Sequence, residues 1–285
     1  MSEGINKPYK DKSGTIWVKQ GSDKRKLLDN AEILKLFQSG RNLSADEMEI
    51  FGTSLDDVDE KQFSKYFMQE FGRSFQDYSF NLGQALKAKR ILLNDQLTLA
   101  GLLFFSKAPQ QFKPAFIIKV VSFFGNDIGS NSYRSKPKDL EGTIPELFNK
   151  AIDFIMSNIH HLQSGDSFNT QGKPEISRLA LEEVIQNALI HRDYLKNAPV
   201  RILIFDNRLE IISPGKLPNG LTVEDIKFGN PYIRNNLLVA FSIRTMPFSG
   251  LGSGIWRALN EQPDIEFEND ASGDQFKVII PRPQL

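Results

Sequence analysis

Residues 181–194, LEEVIQNALIHRDY from Leu181 to Tyr194, decide how the rest of the chain is read. Glu183, Asn187 and His191 recur at intervals of four, so all three project from one stripe of a helix. Asparagine is a poor helix former, and its place among Leu, Val, Ile and Ala calls for an explanation. A solvated polar face is one; a row of side chains turned towards a ligand is the other. The helix is expected from Glu175 to His191. It leads into Val200–Phe205, a turn at Asp206-Asn207, and Leu209–Ser213, whose alternating RILIF and LEIIS patterns predict a hairpin.

Downstream, Lys216–Ser249 is of mixed character and ends at Gly250-Leu251-Gly252-Ser253-Gly254, just before an expected helix over Ile255–Leu259. Alternating glycines let backbone N–H groups converge, and the helix N-terminus adds its positive end, which has the form of a phosphate cradle. Flexible turns look the same, so the motif carries weight only in company. GxxxxGK[ST] is absent from the sequence, which excludes a P-loop. Gln275–Ile280 reads as a final strand.

Upstream, Leu162–Lys173 is polar and reads as a boundary loop. Thr143-Ile144-Pro145-Glu146 is a capping box opening a helix to about His160. His160 and His161 suit the carbonyl end of that helix better than a metal. Phe116–Phe124 predicts a central strand, Leu97–Phe105 and Leu82–Leu93 predict helices, and Asp57–Phe71 predicts a helix with a core-forming aromatic stripe stopped by Gly72. Asn94-Asp95 is a turn. Thr15–Val18 predicts a strand, Gly21-Ser22-Asp23 a turn, and Asp29 or Asn30 a cap for a helix through Phe37.

The 285 residues carry no net charge, no cysteine and three histidines, which removes disulfides, thiolate metal sites and histidine-rich metal sites. No apolar run reaches membrane-span length, and the start is not a signal peptide, so no membrane is expected and the cytoplasm is the simplest compartment. Lys19, Lys24, Arg25 and Lys26 crowd the first segment; Lys87, Lys89 and Arg90 form a second basic cluster, with an acidic stretch including Asp46 and Glu47 between them. Such runs read first as solvated faces and second as a nucleic-acid surface.

The polar helix, hairpin and glycine-rich loop, in this order, resemble the GHKL ATPases, the fold shared by gyrase, Hsp90, histidine kinases and MutL. The resemblance implies that Asn187 holds Mg²⁺, that Glu183 orients or deprotonates the attacking water, and that Gly250, Gly252, Ser253 and Gly254 meet the phosphates of ATP. Where the family has Asp-x-Gly against adenine, this chain has Ser213-Pro214-Gly215; Gly215 is kept, and Ser213 is a weaker hydrogen-bonding partner for the base. Asn187-Ala188 followed by His191-Arg192-Asp193-Tyr194, together with Leu209–Gly215, Leu217–Gly220 and Arg234-Asn235, resembles more closely the RecG-C-terminal-like subfamily. His191 and Arg192 would then lie near the pocket. Ile16–Arg25 resembles the second half of an AlbA-type (Schlafen-like) domain.

The fold class expected is α+β, a C-terminal GHKL-like α/β sandwich preceded by a smaller mixed α/β region. Residues 1–55 would be a partial AlbA-type nucleic-acid-binding region, 56–165 a connecting α/β region, and 170–285 the nucleotide-binding module. The resemblance implies a DNA-associated transcriptional regulator that binds ATP and Mg²⁺, with weak ATPase activity and a homo-oligomer both open; a helicase motor is not indicated. The alternatives are a degenerate module serving as a scaffold or dimerisation surface, and a protein binding DNA through its basic segments alone.

Overall fold

A computed structural model describes residues 8–20, 22–39, 44–129, 132–162, 172–218, 220–229 and 232–283. Gly21, Asn219 and most of the polar stretch read as a boundary loop lie outside the described residues. The chain opens with an antiparallel ladder of β1 (Trp17–Gln20) and β2 (Asp23–Lys26). In α1 (Asn30–Ser39), the Asp29 Oδ1 accepts the Glu32 N–H at 2.8 Å, so Asp29 is the cap.

Helix α2 (Glu60–Phe71) begins at an Asp59 cap and stops at Gly72 in the left-handed region. Helix α3 (Leu82–Ala88) is shorter than the sequence predicts. Arg90 adopts a φ of 56°, and Leu92–Leu93 leaves the helix to become β3, paired with β4 (Gln96–Leu97) around Asn94 and Asp95 at φ 45° and 63°. Then come α4 (Leu99–Phe105), α5 (Pro109–Phe112), β5 (Ile118–Phe123), β6 (Tyr133–Ser135) and α6 (Ile144–Asn158). At the start of α6 the Thr143 N–H and hydroxyl both donate to the Glu146 carboxylate, which is the expected capping box. His161 lies in β7 (His161–Leu162), paired with β8 (Lys173–Pro174).

Helix α7 (Arg178–Ile190) is followed by β9 (Val200–Ile204) and β10 (Arg208–Pro214), the expected hairpin. The mixed segment after it holds α8 (Val223–Lys227) and α9 (Asn236–Thr245), and the chain closes with α10 (Gly254–Glu261), β11 (Glu266–Asp270) and β12 (Gln275–Pro281). The sequence reading lacked β11 because EFEND is an acidic edge strand without alternating apolar positions.

Six strands form one mixed sheet in the order β11-β12-β10-β9-β5-β6, parallel only between β5 and β9. Strands from both sides of the polar stretch at 162–173 thus share a sheet, and one apolar core runs through both. Ile118, Val120, Val200, Ile202, Ile204, Leu209, Ile211, Val278 and Ile280 face α6 and α7. On the far face lie Lys119, Arg201 and Lys277, and a small cluster of Phe123, Leu203, Phe205 and Ile212. Behind α6 and α7 an aromatic layer of Phe63, Tyr66, Phe104, Phe105 and Phe241 joins α2, α4 and α9. This matches the α+β class expected. None of the described helices is long and apolar enough to cross a membrane.

Two buried carboxylates tie distant segments together. Glu175 pairs with Arg282 at 2.7 Å, both side chains fully buried, and Arg282 also donates to the Phe205 carbonyl. Asp46, from the acidic stretch read as a solvated face, is instead buried: its Oδ2 accepts the N–H groups of Leu237 at 2.6 Å and Leu238 at 3.1 Å, and the Ser44 hydroxyl donates to Oδ1. It caps α9, whose own N-cap residue makes no side-chain cap bond. Burial pushes the Asp46 carboxyl above its usual range, although these hydrogen bonds pull the other way. Replacing Asp46 by Ala leaves two first-turn N–H groups buried without an acceptor, and is expected to cost about 2 kcal/mol in urea unfolding. An unchanged midpoint would show that α9 does not depend on this cap.

Candidate functional site

Helix α7 is apolar on nearly every side, with Ala180, Leu181, Val184, Ile185, Leu189 and Ile190 all buried. A helix seated this way has little freedom to rotate, so its polar stripe is aimed by the packing of the rest. The stripe looks into a cleft between α7, the end of β10 and the glycine-rich loop, lined among others by Glu183, Asn187, His191, Ser213, Gly215, Gly250, Gly252 and Gly254. The sequence readings of the helix, of the strand end and of the loop therefore converge on one cavity. Its remaining walls are mainly apolar, including Ile211, Leu221, Ile226, Val239, Phe276 and Val278.

At one end the loop and the helix meet closely. A Cβ on Gly254 would stand 2.5 Å from the Glu183 Oε2 and 3.4 Å from the Asn187 Nδ2, so a side chain here would press on the Glu183 carboxylate. Asn187 donates through Nδ2 to the Glu183 carbonyl at 2.9 Å, which leaves its Oδ1 as the atom able to meet a cation. The Glu183 side chain is 6% exposed and pairs with Arg257 of α10 at 2.6 Å. Arg257 also donates to the Ser249 hydroxyl at 3.2 Å. Burial raises the Glu183 carboxyl above its usual range, and the Arg257 charge opposes that rise. The first turn of α10 carries no side-chain cap from Ser253, and Ser253 does not line the cleft.

At the other end lie His191, Ser213 and Gly215. Ser213 donates its hydroxyl proton to the Ala188 carbonyl at 3.0 Å, fastening β10 to α7. Gly215 has a φ of 96°, and a Cβ there would overlap Asp193 and reach within 2.9 Å of the Arg234 Nη1. Arg234 donates to the carbonyls of Lys216 at 2.8 Å and His191 at 3.4 Å. Surrounding protein and the Arg234 charge hold the His191 imidazole down at about 4, so the ring is neutral around pH 7. Among the described residues no group of three His, Asp or Glu side chains could hold a metal unaided. A divalent cation at Asn187 would need phosphate oxygens as further ligands, as Mg²⁺ commonly does.

Arg192 stands apart from the cleft. Its Nη2 donates to the carbonyls of Lys196 and Ala198 at 3.0 and 2.6 Å, and the guanidinium lies over Phe116 and Tyr194. Tyr194 in turn donates to the Leu189 carbonyl at 2.8 Å, and Asn235 to those of Ile190 and Arg192. The HRDY stretch thus serves mainly to turn the chain out of α7, with His191 alone of the four lining the cleft. Sequence reading missed Arg234 and Arg257. Arg234 was quoted within a motif without a role, and Arg257 stands one turn into α10, where a lone arginine carries no signal.

Of the residues assigned to nucleic acid, Lys19, Lys24 and Lys26 share one face of the β1–β2 ladder with the exposed Trp17, and Lys19 sits directly opposite Lys24. Arg25 points to the opposite face and pairs with Glu32 at 2.8 Å. In the second basic cluster Lys87, Lys89 and Arg90 are each paired, with Asp95, Glu70 and Glu47.

The crystal structure of the DIP2311 protein from Corynebacterium diphtheriae superposes with a TM-score of 0.64 over 96% of this chain and 55% of that one, at 19% identity. The chain therefore spans about half the length of that protein, and the likeness is one of fold. No curated protein matches the chain. Residues 197–280, from just before β9 into β12, match the family model described as "Putative ATP-dependent DNA helicase recG C-terminal". That part of the chain, with the glycine-rich loop inside it, is similar to the RecG C-terminal ATPase-type domain.

Proposed function

We propose that the cleft binds a purine nucleoside triphosphate together with Mg²⁺, ATP being the ligand the family resemblance implies. The observation that carries this reading is the closeness of Gly254 to both Glu183 and Asn187, which puts a helix N-terminus, a side-chain amide and a carboxylate around one point. Asn187 Oδ1 would hold the metal, which when bound neutralises charge on the phosphate oxygens. The N–H groups from Gly252 to the start of α10 would meet the phosphates. The apolar walls would take the base and ribose. Glu183 would orient water for slow hydrolysis, once it is released from Arg257. A DNA-associated regulatory role is supported by the Trp17, Lys19, Lys24 and Lys26 face, where the like-charged cross-strand pair is unfavourable until an anion meets it. Assembly as a homo-oligomer is compatible with this reading.

Calorimetric titration of ATP with Mg²⁺ is expected to show binding that Asn187→Ala weakens by at least about tenfold, on the order of 1.4 kcal/mol. Equal affinity in the variant would place the nucleotide elsewhere.

Turnover that uses the Glu183 carboxylate falls as pH drops through its raised pKa, so the acid limb lies above the usual carboxylate range. In Arg257→Gln the cation that opposes the rise in the free protein is gone, and the limb in kcat/KM, which reports the free protein, is expected to move to higher pH. A pH–rate profile with an unmoved limb would remove Glu183 as the base.

DNA binding through the hairpin should weaken steeply with salt. The combined Lys19→Gln and Lys24→Gln change should flatten that slope by roughly two, while Asn187→Ala leaves it alone. An unchanged slope in the double variant would exclude this face.

A further inference from the structure

We infer that Arg257 reads the terminal phosphate of the nucleotide, exchanging Glu183 for it when a triphosphate enters the cleft. The inference rests on the nucleotide reading above and adds to it the residue that tells a triphosphate from a diphosphate. Glu183 lies within α7 and His191 at its C-cap, eight residues or about 12 Å further along the axis. The lining cations, Lys216 and Arg234, gather at the His191 end, where Arg234 donates to the carbonyls of both His191 and Lys216. At the other end the charged group lining the cleft is the Glu183 carboxylate, which repels an incoming phosphate unless a cation offsets it.

Arg257 is that cation. It closes the first turn of α10, where its N–H donates to the Ser253 carbonyl at 2.9 Å, and helical side chains lean back towards the N-terminus. Its Nη2 reaches the Glu183 Oε1 at 2.6 Å and the Ser249 hydroxyl at 3.2 Å. Glu183 and Ser249 both line the cleft, so the guanidinium stands directly behind two lining side chains. A guanidinium has five N–H groups. One nitrogen makes both of these contacts, while Nε is buried without a hydrogen-bond partner. A buried donor in that state is unfavourable, and a phosphate, with several charged oxygens, can take two guanidinium N–H groups side by side.

The two acceptors meet at one place. The Glu183 Oε2 lies 2.5 Å from where a Cβ of Gly254 would stand, beside the first N–H groups of α10. A phosphate that meets those N–H groups therefore arrives next to the carboxylate, within reach of one arginine side chain. The Arg257 side chain is 35% exposed and that of Glu183 6%, so it is the arginine that has room to move. A diphosphate laid with its base towards His191 ends one group short of Glu183 and leaves the pair intact.

The test measures ATP and ADP affinity, each with Mg²⁺, by calorimetric titration of the full chain carrying Glu183→Gln, with and without Arg257→Gln. Without the carboxylate, Arg257 has no charge to offset at this end except that of the ligand. Adding Arg257→Gln is expected to lower the ratio of ATP to ADP affinity at least about tenfold, the scale of a lost charge-assisted hydrogen bond. Arg257→Lys in the same background keeps a cation and should keep part of the ratio. The ADP affinity is the control for folding, since a distorted cleft weakens both ligands. A ratio unchanged by Arg257→Gln, or a lysine variant as poor as the glutamine one, overturns the inference; Arg257 would then serve Glu183 alone, and the nucleotide site would stand. Failure of both nucleotides to bind the unmodified chain at millimolar concentration overturns the nucleotide reading itself, and this inference with it.

Discussion

The seating of α7 on the core face of the sheet is the constraint from which the site follows. Its apolar residues are gripped by β10 on one side and by α6, α9 and α10 on the others. Surrounded in this way, the helix has one azimuth at which Glu183 and Asn187 avoid an apolar environment without partners. That azimuth points them into the cleft. The Ser213 to Ala188 hydrogen bond fixes the axial position as well, since a shift of one residue would leave a buried carbonyl without its donor. The site is therefore a by-product of core packing rather than of loop geometry, and loops are added to it from outside.

Much of this was legible in the sequence because it depends on local periodicity. A polar side chain every fourth residue in an otherwise apolar helix, an alternating hairpin, and glycines ahead of a helix are features that neighbouring residues establish among themselves. The central strand Ile118–Phe123 and the capping box at Thr143 were legible for the same reason. Asp46 was not. Nothing near it distinguishes it from the other carboxylates in its stretch, and its burial is caused by α9, which lies some 190 residues further on. Arg234 and Arg257 were hidden likewise, because an arginine acquires its role from what faces it, and what faces these two comes from α7 and the end of β10. The HRDY stretch shows the converse, where a charged and recognisable string is spent mostly on backbone carbonyls.

The Glu183–Arg257 pair ties α7 to α10 at the edge of the cleft. Both partners lie on helices, one buried and one third-exposed, and the pair closes the approach between α7 and α10. In the nucleotide complex proposed above, a phosphate would offer Arg257 a more strongly charged acceptor than Glu183 does, and the ligand that needs the carboxylate free would itself draw the arginine away. An ion pair of this kind leaves the buried Glu183 carboxylate with a partner.

The parallel pairing of β5 with β9 bears on how the chain reaches its structure. Ile118 pairs with Val200, and the chain between them must form α6 and pass through α7 before the ladder can close. During synthesis from the N-terminus β5 emerges long before its partner, with Ile118 and Val120 apolar on one face and Phe123 on the other. Non-local ladders of this sort form slowly, and a waiting apolar strand is open to the wrong neighbours. Of the aromatic layer, α2 and α4 precede β5, but Phe241 of α9 follows it, so neither the layer nor the sheet is complete until the C-terminal part of the chain has been made.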